Sequence, residues 1–162
     1  MQKSVVFSRC RQYRYYLSRI WDAHLPVLPW LMLNPSVADA TKDDRTLSKC
    51  IKITQYNGFG GLGVFNIFAY RSTNPKILKS IANPEGKRND YYLSKLAIHQ
   101  PLVLAYGNQA ENINPIRLKH VLRQMVALQT TFFCLGTTDA GHPKHPLYLA
   151  AYSQLLPYEP II

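Results

Sequence analysis

The chain has 162 residues and a formal net charge of +10, with 47% hydrophobic and only 17% charged residues. That length suits a single domain, at roughly 100–200 residues per domain, and the apolar share excludes a disordered chain. No apolar run approaches the ~20 residues of a membrane-spanning helix, and the run at 5–7 is too short for a secretory signal, so the expectation is a soluble, cytoplasmic protein.

The charge is uneven: residues 1–81 carry +8 of the total. Arg9, Arg11 and Arg14 fall in the first 21 residues, before the first acidic residue, Asp22. Such a segment fits a phosphate-bearing partner, DNA or a nucleotide, because neutralised phosphates release counterions. A solvated basic face is the plainer alternative. The cysteines, Cys10, Cys50 and Cys134, are odd in number and lack a Cys-x-x-Cys pair, which fits reduced thiols. Cys50 and Cys134 lie in apolar segments and read as core.

In chain order, 5–7 and 13–21 read as two strands joined by a turn over 8–12, a basic N-terminal hairpin within 1–27. An α/β core over 28–156 follows. Trp30-Leu31-Met32-Leu33 is a short apolar run that predicts a strand buried on both faces, ending at Asn34-Pro35-Ser36. A helix is predicted over 43–57, with Thr41 and Asp44 in capping-box spacing and Leu47, Cys50, Ile51 and Thr54 as its inward stripe. The next strand covers 62–68, and short helices are expected at 75–81 and 88–99. Strands at 102–106 and 132–135 flank a helix at about 115–128 that starts with Pro115. A terminal helix is expected near 147–156.

Strands alternating with helices predict a mainly parallel sheet built from βαβ units. Ligands of such sheets bind outside the carboxyl ends of the strands. Four polar loops follow strands and converge there. They carry Asn34-Pro35-Ser36, Asn66 and Arg71, Gly107-Asn108, and the run from Thr137 to His145.

Gly58-Phe59-Gly60-Gly61-Leu62-Gly63 precedes a strand and lacks a following Lys-Ser/Thr, so it reads as a tight turn and not as a phosphate loop. His142-Pro143-Lys144-His145-Pro146 is an extended loop, poorly suited to a zinc pair. It can present an imidazole and an ammonium to a polar or anionic ligand. His24, His99 and His120 read as surface or structural residues. Asp43 and Asp44 fit helix capping, and Asp39 is the better carboxylate candidate for a site. Asn66 interrupts an apolar strand: either it is satisfied internally, or its amide reads a nucleobase edge. Arg71 can grip a phosphate or carboxylate. No Gly-x-Ser-x-Gly elbow is present, which argues against a Ser-His-Asp hydrolase.

Several stretches resemble a family of bacterial and phage proteins, domain of unknown function 1643. They are Trp30-Leu31-Met32-Leu33-Asn34-Pro35-Ser36-Val37-Ala38-Asp39-Ala40, Asp43-Asp44-Arg45-Thr46, 58–71, Asn89-Asp90, Tyr106-Gly107, and 134–149 with its Gly141-His142-Pro143. The resemblance covers roughly 28–150 and implies no established activity.

The motif order is also distantly similar to the uracil-DNA glycosylase superfamily. That likeness implies a three-layer α/β/α domain with a central, mainly parallel four-stranded sheet, to which the N-terminal β-hairpin is added. It implies Asn34, or Asp39, as holder of the attacking water, Asn66 as reader of the base, and His142 or His145 as donor to the departing base. Pro35, Ser36, Gly107 and Lys144 would complete the pocket, and Arg9, Arg11 and Arg14 would hold nucleic-acid phosphates. Leu33 and Ser36 stand where the Asn-type motif has glycines, and the His loop carries an extra residue, so both histidines stay candidates. No metal or cofactor is implied. The expectation is N-glycosidic hydrolysis on nucleobases in DNA or nucleotides, with a non-catalytic nucleic-acid- or nucleotide-binding module as the alternative.

Overall fold

A computed structural model describes residues 1–96 and 100–162. Among these, seven strands form one sheet: β1 (Gln2–Phe7), β2 (Arg14–Ile20), β3 (Val27–Met32), β4 (Gly61–Asn66), β5 (Pro101–Leu104), β6 (Thr131–Cys134) and β7 (Leu156–Pro157). Their spatial order is β1-β2-β4-β3-β5-β6-β7. The four central strands run parallel, and β1, β2 and β7 pair antiparallel at the edges. The sheet is therefore mixed and seven-stranded, not four-stranded. The N-terminal hairpin is no appendage, because β2 pairs with β4 from Leu17↔Val64 to Ile20↔Gly61.

Strand periodicity sends alternate side chains to opposite faces. In β3, Leu28, Trp30 and Met32 pack with Leu47, Cys50, Ile51 and Ile53 of α1 (Arg45–Tyr56). Leu31 and Leu33 face the other way, with Leu118, Val121, Leu122 and Met125 of α4 (Pro115–Ala127). In β5, Val103 follows the first set and Leu102 and Leu104 the second. Helices thus cover both faces. Each fully buried aliphatic side chain contributes roughly 1.5–3 kcal/mol. Between β3 and α1 the Trp30 indole Nε1 donates to Thr54 Oγ1 at 3.1 Å.

The inward stripe of α1 is as the spacing predicts, with Leu47, Cys50, Ile51 and Thr54 all buried. Its cap differs. Asp44 is itself the N-cap, accepting the Leu47 N–H at 2.8 Å, so Thr41 lies outside the helix. Asn114 caps α4 by accepting the Arg117 N–H at 3.0 Å, with Pro115 following as expected. The glycine run does form a helix-to-strand turn. A Cβ at Gly60 would lie 2.0 Å from the Asp22 carbonyl oxygen, so the close passage of two backbones requires that glycine.

Residues 75–80 form a 3-10 turn, and α2 (Asn89–Leu93) is shorter than the predicted 88–99 helix. Residues 97–99 of that helix, His99 included, lie outside the described residues. A short helix that sequence reading missed, α3 (Gln109–Ile113), precedes α4. The predicted terminal helix is absent: one 3-10 turn at Pro146–Tyr148 leads to β7, which pairs with β6 at Cys134↔Leu156. The Asn57 side chain replaces helical hydrogen bonds for this segment. It donates to the Ser153 carbonyl at 2.9 Å and accepts the Leu155 N–H at 3.1 Å. β7 also covers the edge that β6 would otherwise expose.

Candidate functional site

The ends of β3, β4 and β5 open into one cleft of about 1240 Å³. Asn34 follows β3, Asn66 ends β4 and Asn108 follows β5, and all three line the cleft. Each strand thus delivers an amide to the same mouth.

Asn34 is held by its own amide nitrogen. Nδ2 donates to the carbonyls of Pro35 and Ser72, both at 3.0 Å, and more weakly to Tyr70. Three carbonyls around one nitrogen set the amide's orientation, and Oδ1 takes no hydrogen bond from the described residues. Asn66 is 2% exposed, shares the Met32 register position and makes no side-chain hydrogen bond among the described residues. Its backbone is fully engaged: the Asn66 carbonyl accepts from Asn89 Nδ2 at 2.8 Å. A buried amide without an internal partner is costly unless a ligand or water meets it. Asn108 accepts the Thr138 hydroxyl at 2.7 Å, which ties the β5 loop to the loop after β6. The Gly107-Asn108 pair directly after a strand is the signal that could have singled it out.

The two histidines separate. His145 lines the cleft, and its Nδ1 accepts the Leu147 N–H at 3.3 Å. The proton of the neutral ring therefore sits on Nε2. The residue is exposed at the cleft, and partial desolvation there lowers the imidazole from its ordinary value, against the opposing pull of Asp44. His142 is buried outside the cleft lining, its Nε2 3.1 Å from Glu111 Oε2 and its ring edge-on to Tyr106. It joins the loop to α3. Lys144, Ser36 and Gly107 line the cleft; Pro35 does not, and its carbonyl holds Asn34 and the Ser72 N–H.

Asp39 is engaged in a local turn. It lies outside the cleft lining, and Oδ1 accepts the N–H groups of Lys42 and Thr41, both at 2.8 Å. Those two bonds hold its carboxyl down at about 2. A short polar side chain that captures the next backbone N–H groups builds a turn. Asp43 is likewise occupied, by Arg19 at 2.8 Å and Lys3 at 3.4 Å. Among the described residues no group of three or more His, Cys, Asp or Glu side chains is gathered as metal ligands would be.

The basic segment divides as well. Arg9 and Arg11 are exposed at the hairpin turn, with the Arg11 guanidinium 4.3 Å above the Phe7 ring. Arg71 stacks on the other side of the same cluster, 4.6 Å from Phe7, and donates to the Arg11 carbonyl at 3.1 Å, away from the cleft lining. Arg14 is 5% exposed and stands in the cleft wall, its Nη1 donating to the Ala38 carbonyl at 2.9 Å. Burial lowers this guanidinium to about 10, still protonated at neutral pH. The interleaved tyrosines are packing residues: Tyr15 stacks on Tyr92 at 5.3 Å, Tyr13 meets Tyr70 edge-on at 5.6 Å, and Tyr16 packs on Phe65 at 4.9 Å.

No curated protein and no solved structure matches the chain. A family model described as a protein of unknown function (DUF1643) matches residues 14–147, from β2 to the His loop, and so includes the cleft lining except Tyr148 and Leu149. With most of its length matched by that model, the chain belongs to the DUF1643 family.

Proposed function

We propose that the cleft receives a nucleobase, as part of a nucleotide or of DNA, and that the protein hydrolyses its N-glycosidic bond. The observation that carries this reading is the Asn66 amide, which lines the cleft, is 2% exposed and makes no side-chain hydrogen bond among the described residues. An amide offers a donor and an acceptor side by side, which matches a base edge. Asn34 Oδ1, held in place by its own Nδ2, would accept a hydrogen bond from the attacking water, whose oxygen bonds to the sugar carbon as the glycosidic bond breaks and whose proton passes through solvent to the departing base. His145, neutral with its proton on Nε2, would donate to the base as negative charge develops on it. Bond cleavage through an oxocarbenium-like state asks less of a general base than direct attack does, so a water held by an amide suffices.

A second reading, a nucleic-acid- or nucleotide-binding module without turnover, draws support from the carboxylates. Asp39, Asp43 and Asp44 are engaged in a turn, an ion pair and a helix cap. Exposed Arg9 and Arg11 would then contribute salt-sensitive contacts to phosphates.

The test is base release from uracil-containing and modified DNA and from a panel of nucleotides, scored as free base and abasic sites. Release that is lost in Asn34→Ala and His145→Ala supports the hydrolase. Salt-sensitive binding without release selects the module. Neither release nor binding removes both.

A further inference from the structure

Arg14 is an unusual cation. It is 5% exposed, its Nε is buried with no acceptor, and among the described residues no carboxylate comes within ion-pair distance of it. Arg19, on the same strand, is buried too but pairs with Asp43 at 2.8 Å. Removing a charge from water without a directly bonded counter-charge is unfavourable, and Asp44 acts on Arg14 only from beyond ion-pair distance. An unpaired guanidinium in a cleft wall therefore points to an anion that arrives from outside.

The same cleft supplies a second feature, and Asp44, the N-cap of α1, lies near enough to Arg14 to act on its charge. Asp43, Asp44, Arg45 and Thr46, around the first turn of α1, line the same cleft. Asp44 satisfies the Leu47 N–H, but the backbone N–H groups of Arg45 and Thr46 have no acceptor among the described residues. Free N–H groups at the positive end of a twelve-residue helix favour an oxyanion. Lys42 and Lys144 add positive charge around the cleft, while Asp43 is neutralised by Arg19 and Lys3.

From the unpaired Arg14 and the open N-terminus of α1 we infer that this end of the cleft holds a phosphate group of the ligand. It takes that phosphate with two donor types: the Arg14 guanidinium and the Arg45 and Thr46 amides. Phosphate capture stands on these groups alone; that the rest of the ligand is a nucleoside rests on the reading above. The same chemistry could come from a terminal nucleotide phosphate or from a DNA backbone.

Calorimetric titration of the full chain with inorganic phosphate tests the site directly. Phosphate should bind the wild type, and Arg14→Gln should weaken it about tenfold or more. Lys119→Gln, on the exposed face of α4, should leave it unchanged. Asp44→Asn retains a good N-cap and removes a nearby negative charge, so phosphate should bind it about threefold more tightly. That variant keeps the test open should Arg14→Gln fail to fold. Equal phosphate affinity in the wild type and Arg14→Gln, or no gain in Asp44→Asn, overturns the inference. Further arms use a nucleoside, its 5′-monophosphate and a short single-stranded DNA. A preference for the monophosphate that Arg14→Gln abolishes identifies a nucleotide phosphate. An Arg14→Gln effect confined to DNA identifies a backbone phosphate. Nucleoside binding with no phosphate effect removes the phosphate site and leaves the base-binding reading intact. Phosphate binding without any nucleobase preference does the reverse.

Discussion

Arg19 Nε donates to Asp43 Oδ1 at 2.8 Å, which fastens the N-terminal hairpin to the start of α1. Arg19 is fully buried, and its other nitrogens are taken by the carbonyls of Ser18 and Asp39. Asp43 keeps 22% of its side chain exposed. Replacing Asp43 with Asn leaves a buried cation without its counter-charge. The expected loss is about 3 kcal/mol, near the low end for such pairs because one partner reaches solvent. Urea unfolding measures it, and a loss below about 1 kcal/mol, the ceiling for surface pairs, would show that the contact behaves as one of them.

Asn66 and Asn89 should separate binding from stability. Asn89 is 1% exposed, and its Nδ2 donates to the carbonyls of Asn66 and Ile67 at 2.8 and 3.2 Å. Asn89→Ala takes the amide donor from the Asn66 carbonyl, while the Ile67 carbonyl keeps Arg117 Nε at 3.0 Å, and should cost about 1–3 kcal/mol. Asn66→Ala removes an amide with no internal partner, so it should leave stability nearly unchanged and abolish selectivity among bases. Melting curves and ligand titrations on the two variants decide it. A large stability loss in Asn66→Ala would mean the amide is a structural group.

The Asp39 turn predicts an acid transition. Its carboxyl lies at about 2 in the folded chain, below its ordinary 3.8, because it accepts the Lys42 and Thr41 N–H groups. A depressed folded value contributes stability above the ordinary value, and that contribution is lost as pH falls through the folded one. Wild-type melting temperature should therefore drop between about pH 4 and pH 2 more steeply than that of Asp39→Asn. Parallel curves over that window would exclude the turn as a source of acid sensitivity.

His145, exposed at the cleft, should titrate below its ordinary 6.5, since the partial desolvation of its ring disfavours the charged form more than Asp44 favours it. The neutral form, with its proton on Nε2, then persists at neutral pH. Ring-nitrogen NMR reads both the midpoint and the tautomer. A midpoint at or above 6.5, or a proton on Nδ1, would remove His145 as the proposed donor.

Local patterns were legible wherever one element decides a residue's surroundings. The stripe Leu47, Cys50, Ile51 and Thr54 announced the buried face of α1, and the apolar run ending at Asn34 announced a central strand. Asn34 and Asn66 could be marked as site residues because polar groups at strand ends in an α/β sheet converge. Asp39 was not legible in the same way, because a carboxylate in a loop is equally suited to binding the N–H groups of its own turn, as it does with Thr41 and Lys42.

The sequence by itself determined the alternation of strands and helices, the two-faced strands, and the convergence of amides at one end of the sheet, because these follow from periodicity and from residue type at element ends. Only the tertiary structure decided which cations and which histidine face the cleft. Arg14 turns into the wall because β2 is paired inside the sheet and its backbone N–H meets the Ala69 carbonyl, whereas Arg9 and Arg11 stay in the turn outside it. His142 is drawn away by Glu111, a residue from α3 that is distant in sequence, and His145 is left at the cleft. The C-terminal segment became β7 and not a helix because β6 offered an open edge and Asn57 offered a donor and an acceptor. Each outcome depends on a partner brought near by folding, which no local pattern encodes.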